Sequence, residues 1–195
     1  MSLTPLSVTL LHLQRVISRQ QLEHLRLFAE IVGVPRAKTE KASLQKLHYQ
    51  LRESTKLCSM ATPLLQAMLE VIQVDSQTVS RLDSSKERLE ECTALSSFKL
   101  GCLVSYIILN LREDEFHKLK ELVCSGALKI QHNPDGIESS VELFRVVCTE
   151  RLVCEDNVQS LREWMEELRL MKCVSRIDEY RRGCGDIAAV SQDRG

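Results

Sequence analysis

Glycine, proline and aromatic side chains are scarce in these 195 residues, with seven Gly, four Pro and 4% aromatics. That shortage excludes most strand-rich architectures, which need frequent turn punctuation and alternating β-branched or aromatic residues. Net charge is also small, because 26 Lys and Arg stand against 27 Asp and Glu. No global field draws the chain to nucleic acid or to an anionic membrane, and the Arg181–Arg182 pair is too short to create one. Long apolar runs are absent too. The most apolar stretch, Leu100 to Leu109, is about half the length a bilayer-spanning helix needs and reads as a core helix.

Motifs that carry catalytic chemistry are missing. The eight cysteines (Cys58, Cys92, Cys102, Cys124, Cys148, Cys154, Cys173 and Cys184) include no C-x-x-C pair and no Cys/His cluster at zinc-ligand spacing. His12, His24, His48, His117 and His132 form no i, i+4 ligand pair. There is no Q-A-C-x-G segment, G-x-S-x-G elbow, phosphate-binding G-x-x-x-x-G-K-[ST] loop or G-x-G-x-x-G loop. We therefore expect no enzymatic activity, no metal and no cofactor. The opening MSLTPLSVTLLHLQRV has neither a basic n-region nor a small-residue cleavage site. The expected setting is a reducing cytoplasm, with cysteines serving as small hydrophobes.

What the chain does have is helix-forming residues in amphipathic order, at 44% hydrophobic and 27% charged. Leu6, Leu10, Leu13 and Val16 predict a first helix to Ile17. Ser18 with Gln21 has the form of a capping box for a second, which carries Leu22, Leu25, Phe28, Ala29 and Val32 to Gly33 and Pro35. A short charged segment from Arg36 to Lys41 follows. Ser43 caps a fourth helix, Thr62 and Pro63 start a fifth, and a sixth begins near Asp75. In the second half, helices are predicted over Phe98 to Leu109 and Glu113 to Cys124. After a loop through Gly126 and His132–Gly136, another carries Val141, Phe144 and Cys148. One capped by Asp156 bears Leu161, Trp164 and Leu168, and the last runs from Lys172 to Arg181 before a frayed tail from Gly183. Trp164 is expected in the core.

The halves repeat. Leu22, Leu25 and Phe28 map onto Phe116, Leu119 and Leu122 after 94 residues. Ser43-Leu44 and Leu47 find Ser140-Val141 and Phe144 after 97, and Leu65, Met68 and Ile72 find Leu161, Trp164 and Leu168 after 96. His24 and His117 fall at nearly matching places and are expected at the surface. The expected fold is all-α, two tandem six-helix antiparallel bundles. Their ranges are 3–83 and 97–181, with a helical connection over 84–96 and a flexible tail over 182–195.

At the second-helix blocks, Gln21-Leu22-Glu23-His24-Leu25-Arg26-Leu27-Phe28 and Glu115-Phe116-His117-Lys118-Leu119-Lys120-Glu121-Leu122, the chain resembles the death effector domains of the death-domain superfamily, which typically read E-L-x-x-L-K-F-L. Glu166 to Lys172 is similar to that family's R-x-D-L region, and Ile177-Asp178-Glu179-Tyr180 to its final helix. Two such domains with little else resemble FLIP-type inhibitors, viral or cellular, and equally an initiator procaspase prodomain. The resemblance implies contacts with death effector domains of a death-receptor adaptor and of initiator procaspases, inhibition of procaspase activation, and room for self-association. A promoting adaptor or prodomain-like nucleator is the alternative within that class, and a helical scaffold for an unrelated signalling partner is the alternative outside it.

The family's charge triad is incomplete in both halves. Its positions are Gln21, Gln73 and Asp75 in the first, and Glu115, Arg169 and Met171 in the second. The family's helix-two apolar pair is Leu27-Phe28 in the first half and Glu121-Leu122 in the second. These ten residues are the expected partner-binding set. Leu27 is the favoured exposed member of its pair, whereas Phe28 continues the Leu22/Leu25 stripe and suits core or surface. An exposed apolar pair would let the first module dock through helix two while the second docks poorly, the behaviour of a chain capper.

Overall fold

Local capping chemistry starts the first helices. The computed structural model describes residues 4–54, 60–82, 95–126 and 136–192. In α1 (Pro5–Val16), Thr4 accepts the Ser7 amide and Pro5 occupies the first turn, where its missing N–H costs nothing. In α2 (Arg19–Ile31), Ser18 and Gln21 form the reciprocal capping box. Gly33, at φ 105°, ends α2 in a left-handed turn that a Cβ would strain. Next come α3 (Arg36–Thr39), α4 (Leu44–Ser54), α5 (Ala61–Val71) and α6 (Ser76–Val79), the last leading into a 3₁₀ turn over Ser80–Leu82. The Thr62 cap is corrected. α5 begins at Ala61, with Met60 at its N-cap, so Thr62 lies inside the helix, and its hydroxyl shares a 2.9 Å hydrogen bond with His48 Nε2.

The chain then forms α7 (Ser96–Asn110), α8 (Glu113–Gly126), α9 (Ser140–Thr149), α10 (Gln159–Glu167) and α11 (Met171–Gln192). No strand occurs among the described residues, and the fold is all-α; one isolated bridge joins Cys154 to Asn157. The expected connection lies outside the described residues as far as residue 94, as does most of the loop before Gly136.

Two compact units divide the chain, Met1–Ser105 and Tyr106–Gly195, and the division falls inside α7. The first unit is centred on Leu10, Leu13, Leu25, Phe28, Leu44, Leu47, Leu51, Leu65, Met68 and Leu69, and Phe98 of α7 belongs to that same core. In the second unit Phe116, Leu119, Val123, Val141, Phe144, Val147, Leu161, Met165, Cys173 and Ile177 are buried.

Three expectations for the second unit are corrected. Asp156 does not cap α10, which starts at Gln159 without a side-chain cap on its Val158 N-cap. Instead Asn157 Oδ1 accepts the Gln159 amide at 3.2 Å. Trp164 is only half-buried, since Met165, one residue on, takes the fully buried position. The expected end of the last helix at Arg181 is passed, since α11 continues through Gly183 to Gln192. A helical glycine costs only about 1 kcal/mol, and no proline follows to stop the helix.

Candidate partner-binding surface

Local hydrogen bonds recur between the halves at nearly the offsets of the apolar pattern. At the start of α2 the Ser18 amide donates to Gln21 Oε1 at 3.0 Å. At the start of α8, 94 residues on, the Arg112 amide donates to Glu115 Oε2 at 2.9 Å. About two turns later Arg26 donates through Nε and a terminal nitrogen to the Ala42 carbonyl, at 3.0 and 2.7 Å. Its counterpart Lys120 donates through Nζ to the Ile137 carbonyl at 2.8 Å. Each cation thus ties its helix to the segment that enters α4 or α9. Both α5 and α10 end on a residue in the left-handed region, Gln73 (φ 61°) and Arg169 (φ 58°). The closing bonds match as well: Val74 to Leu69 at 3.0 Å, and Leu170 to Met165 at 2.9 Å. Capping corrects one offset, since Ser139, and not Ser140, caps α9 as Ser43 caps α4, a step of 96.

Among the expected partner-binding residues, Gln21 and Gln73 come together, Gln21 Nε2 donating to the Gln73 carbonyl at 3.3 Å. Gln73 and Asp75 are exposed, and the Asp75 carbonyl accepts the Val79 amide at 3.0 Å in the turn that opens α6. Glu115 is taken by its neighbour in sequence. Arg112 donates to Glu115 Oε1 from Nε at 3.0 Å and from a terminal nitrogen at 2.7 Å. These bonds hold the Glu115 carboxyl below the usual range. Arg169 is exposed and ion-pairs with no described acid, and Met171 is 60% exposed. Glu121 is exposed and Leu122 half-buried.

The exposed helix-two pair is a correction. Leu27 and Phe28 are each 1% exposed. The Phe28 ring packs on Phe98 at 5.3 Å between centroids and occupies the space beside Gly101, where an added Cβ would lie 2.8 Å from Phe28 Cζ and nearer still to two other ring carbons. Burying a phenylalanine stabilises by about 1.5–3 kcal/mol, so this side chain anchors the fold. His24, expected at the surface, is also buried. Its Nε2 shares a 3.0 Å hydrogen bond with the Ser105 hydroxyl, and burial pushes its pKa down to about 4. The residues 98–105 of α7 thus cover the α2 face, a contact between segments far apart in sequence.

Exposed apolar area in the first unit lies elsewhere. Among its described residues, Val8, Leu11 and Val16 of α1 and Tyr49 of α4 are large hydrophobics with exposed side chains, at 52, 37, 50 and 53% exposure. The two helices pack together, with Gln45 Nε2 donating to the Ser7 carbonyl at 3.3 Å and Gln14 accepting the Leu44 amide. α1 carries no acidic side chain, and Arg15 sits between Leu11 and Val16. Sequence reading missed this surface because the stripe rule assigns each helix one apolar face, and α1 has apolar residues on two. It also missed Arg162, which pairs with Asp178 at 2.8 Å and Glu166 at 2.6 Å, joining α10 to α11 and depressing the Asp178 pKa.

An open groove of about 310 Å³ in the second unit is lined by Glu155, Asp156, Asn157, Gln159, Tyr180 and Arg181. Among the described residues the one buried side-chain polar atom without a hydrogen-bond partner is Gln50 Oε1, in α4. No set of three His, Cys, Asp or Glu groups there is placed to hold a metal ion, and no helix there is long and apolar enough to cross a membrane. No family model, curated protein or solved structure matches the chain.

Proposed function

We propose that this chain is a cytoplasmic regulator of death-receptor signalling built from two death-effector-domain-like halves. It binds the death effector domains of the adaptor and of initiator procaspases and inhibits procaspase activation. The observation that supports this reading is the recurrence, at offsets of 94 to 96, of the helix-start lock, the cation-to-carbonyl tether and the left-handed helix exit. These devices fall on the blocks that carry the resemblance, including the basic position of the E-L-x-x-L-K-F-L pattern at Arg26 and Lys120.

The α1–α4 surface is the docking candidate, because its apolar side chains are held in solvent by helices whose other faces are committed to the core. Initiator procaspase cleavage in a reconstituted adaptor–procaspase assembly tests the reading. Titrating in this protein should slow cleavage, and Val8→Asp, at a half-exposed position near the start of α1, should weaken the effect with little change in stability. Phe28→Asp, by contrast, reports on folding. Faster cleavage would replace inhibition with nucleation of caspase assembly, and no effect would favour a scaffold for an unrelated partner.

A further inference from the structure

Every exposed side chain of α1 is either apolar or basic. These are Pro5, Val8, Leu11, His12, Arg15 and Val16, and they share an arc of about 140° on the side of the helix opposite Leu10, Leu13 and Ile17. The uncharged polar residues Ser7, Thr9 and Gln14 flank that arc and are half-buried. A helix on a protein surface ordinarily turns its charged and polar residues outward, so this arrangement is inverted. α1 holds no acid, and Arg15 ion-pairs with none among the described residues. Its packed neighbour α4 exposes Lys46, Tyr49, Arg52 and Glu53, and the Glu53 carboxylate accepts the Tyr49 hydroxyl. Asp and Glu outnumber Lys and Arg in the chain as a whole, so the excess of cations here is a local segregation of charge.

We propose that this face binds the surface of an anionic lipid bilayer, with α1 lying in the plane of the membrane. The boundary of the acyl region takes Val8, Leu11 and Val16. The Arg15 stem runs between Leu11 and Val16, so its guanidinium reaches the headgroup phosphates. Charge complementarity supplies the second part of the attraction, because cations without a competing acid are drawn to a negative leaflet. The shape favours a bilayer over a protein helix. Val8 and Val16 are 52 and 50% exposed and stand on the outer arc of one helix, which has no walls to enclose a partner's anchoring side chains. A fluid interface closes around a protruding side chain without needing such walls. This inference goes beyond the proposed function, since it needs neither adaptor nor caspase, although lipid and protein would compete for the face.

Vesicle sedimentation tests it. The full-length protein is spun with vesicles of phosphatidylcholine alone and with vesicles of equal parts phosphatidylcholine and phosphatidylserine. The bound fraction should be severalfold higher on the anionic vesicles and should fall as salt rises. Val8→Asp should lower that binding severalfold, and Arg15→Gln should lower it and flatten its salt dependence. Lys172→Gln, the same change of charge at an exposed position in the second unit, should bind as the wild type does. Urea unfolding checks that each variant is folded, and Val8→Ser replaces Val8→Asp if the latter is not. Equal binding to the two kinds of vesicle, binding to neither, or an equal loss in Lys172→Gln overturns the proposal. If no vesicle binds but Val8→Asp still weakens the effect on procaspase cleavage, the face belongs to a protein partner and the proposed function stands. Binding to anionic vesicles alone, lost in Val8→Asp and Arg15→Gln, supports the lipid face whatever the cleavage assay shows.

Discussion

At the scale of single residues, His24 shows how position in the fold sets chemistry. Its imidazole is 4% exposed and its pKa is pushed down from 6.5 to about 4 by burial. The unfolded chain therefore binds a proton between those values that the folded chain does not. His24 contributes fully to stability above pH 6.5, and the contribution is lost as pH falls toward 4. The loss amounts to about 3 kcal/mol. Urea unfolding of wild type and His24→Gln at pH 7 and pH 4 should give the wild type the steeper decline, and parallel declines would refute the assignment. Nothing in the sequence around His24 marks it as buried. The residues that bury it, Phe98 to Ser105, lie some 80 positions away, and spacing along α2 places it between Leu25 and the solvent face.

At the scale of elements, the tethers on α2 and α8 make a sharper forecast than the helix caps. Arg26 and Lys120 each donate to a carbonyl just ahead of the next long helix, and removing a charged donor leaves that acceptor short of a partner. Lys120→Met should lower stability by about 1–3 kcal/mol. Arg26→Lys should cost less than Arg26→Met, because one of the two donated bonds can be kept. Thermal or urea unfolding of the three variants checks this. Helix starts at Ser18 and Ser43 and the glycine exit at Gly33 were legible, since caps and left-handed turns depend on neighbours within four residues. Thr62 and Asp156 were misread by one residue within the right local chemistry: α5 starts at Ala61, one residue before Thr62, and Asn157, next to Asp156, accepts the Gln159 amide.

At the scale of the whole molecule, the core of the first unit draws on residues beyond the first six helices. Phe98 belongs to it, with Leu95 and Cys102 packed against it, so a fragment ending at Leu82 leaves the α2 face uncovered. Residues 1–110 should melt at a higher temperature than residues 1–82 and bind less of a dye that reports exposed apolar surface. Equal melting temperatures would show that the α2–α7 contact adds nothing to stability. The helix-start bonds, cation-to-carbonyl bonds and left-handed exits that recur at offsets of 94 to 96 follow the sequence pattern, because short-range geometry follows from short-range sequence. Composition and periodicity by themselves determined the helical class and most helix starts. Which apolar residues face solvent was decided only by tertiary packing. Phe28 continues the Leu22/Leu25 stripe whether or not a helix covers it, and the packing of Phe98 and Gly101 on its ring places it in the core, while Val8, Leu11 and Val16 of α1 stay exposed because Leu10, Leu13 and Ile17 fill the core side of that helix.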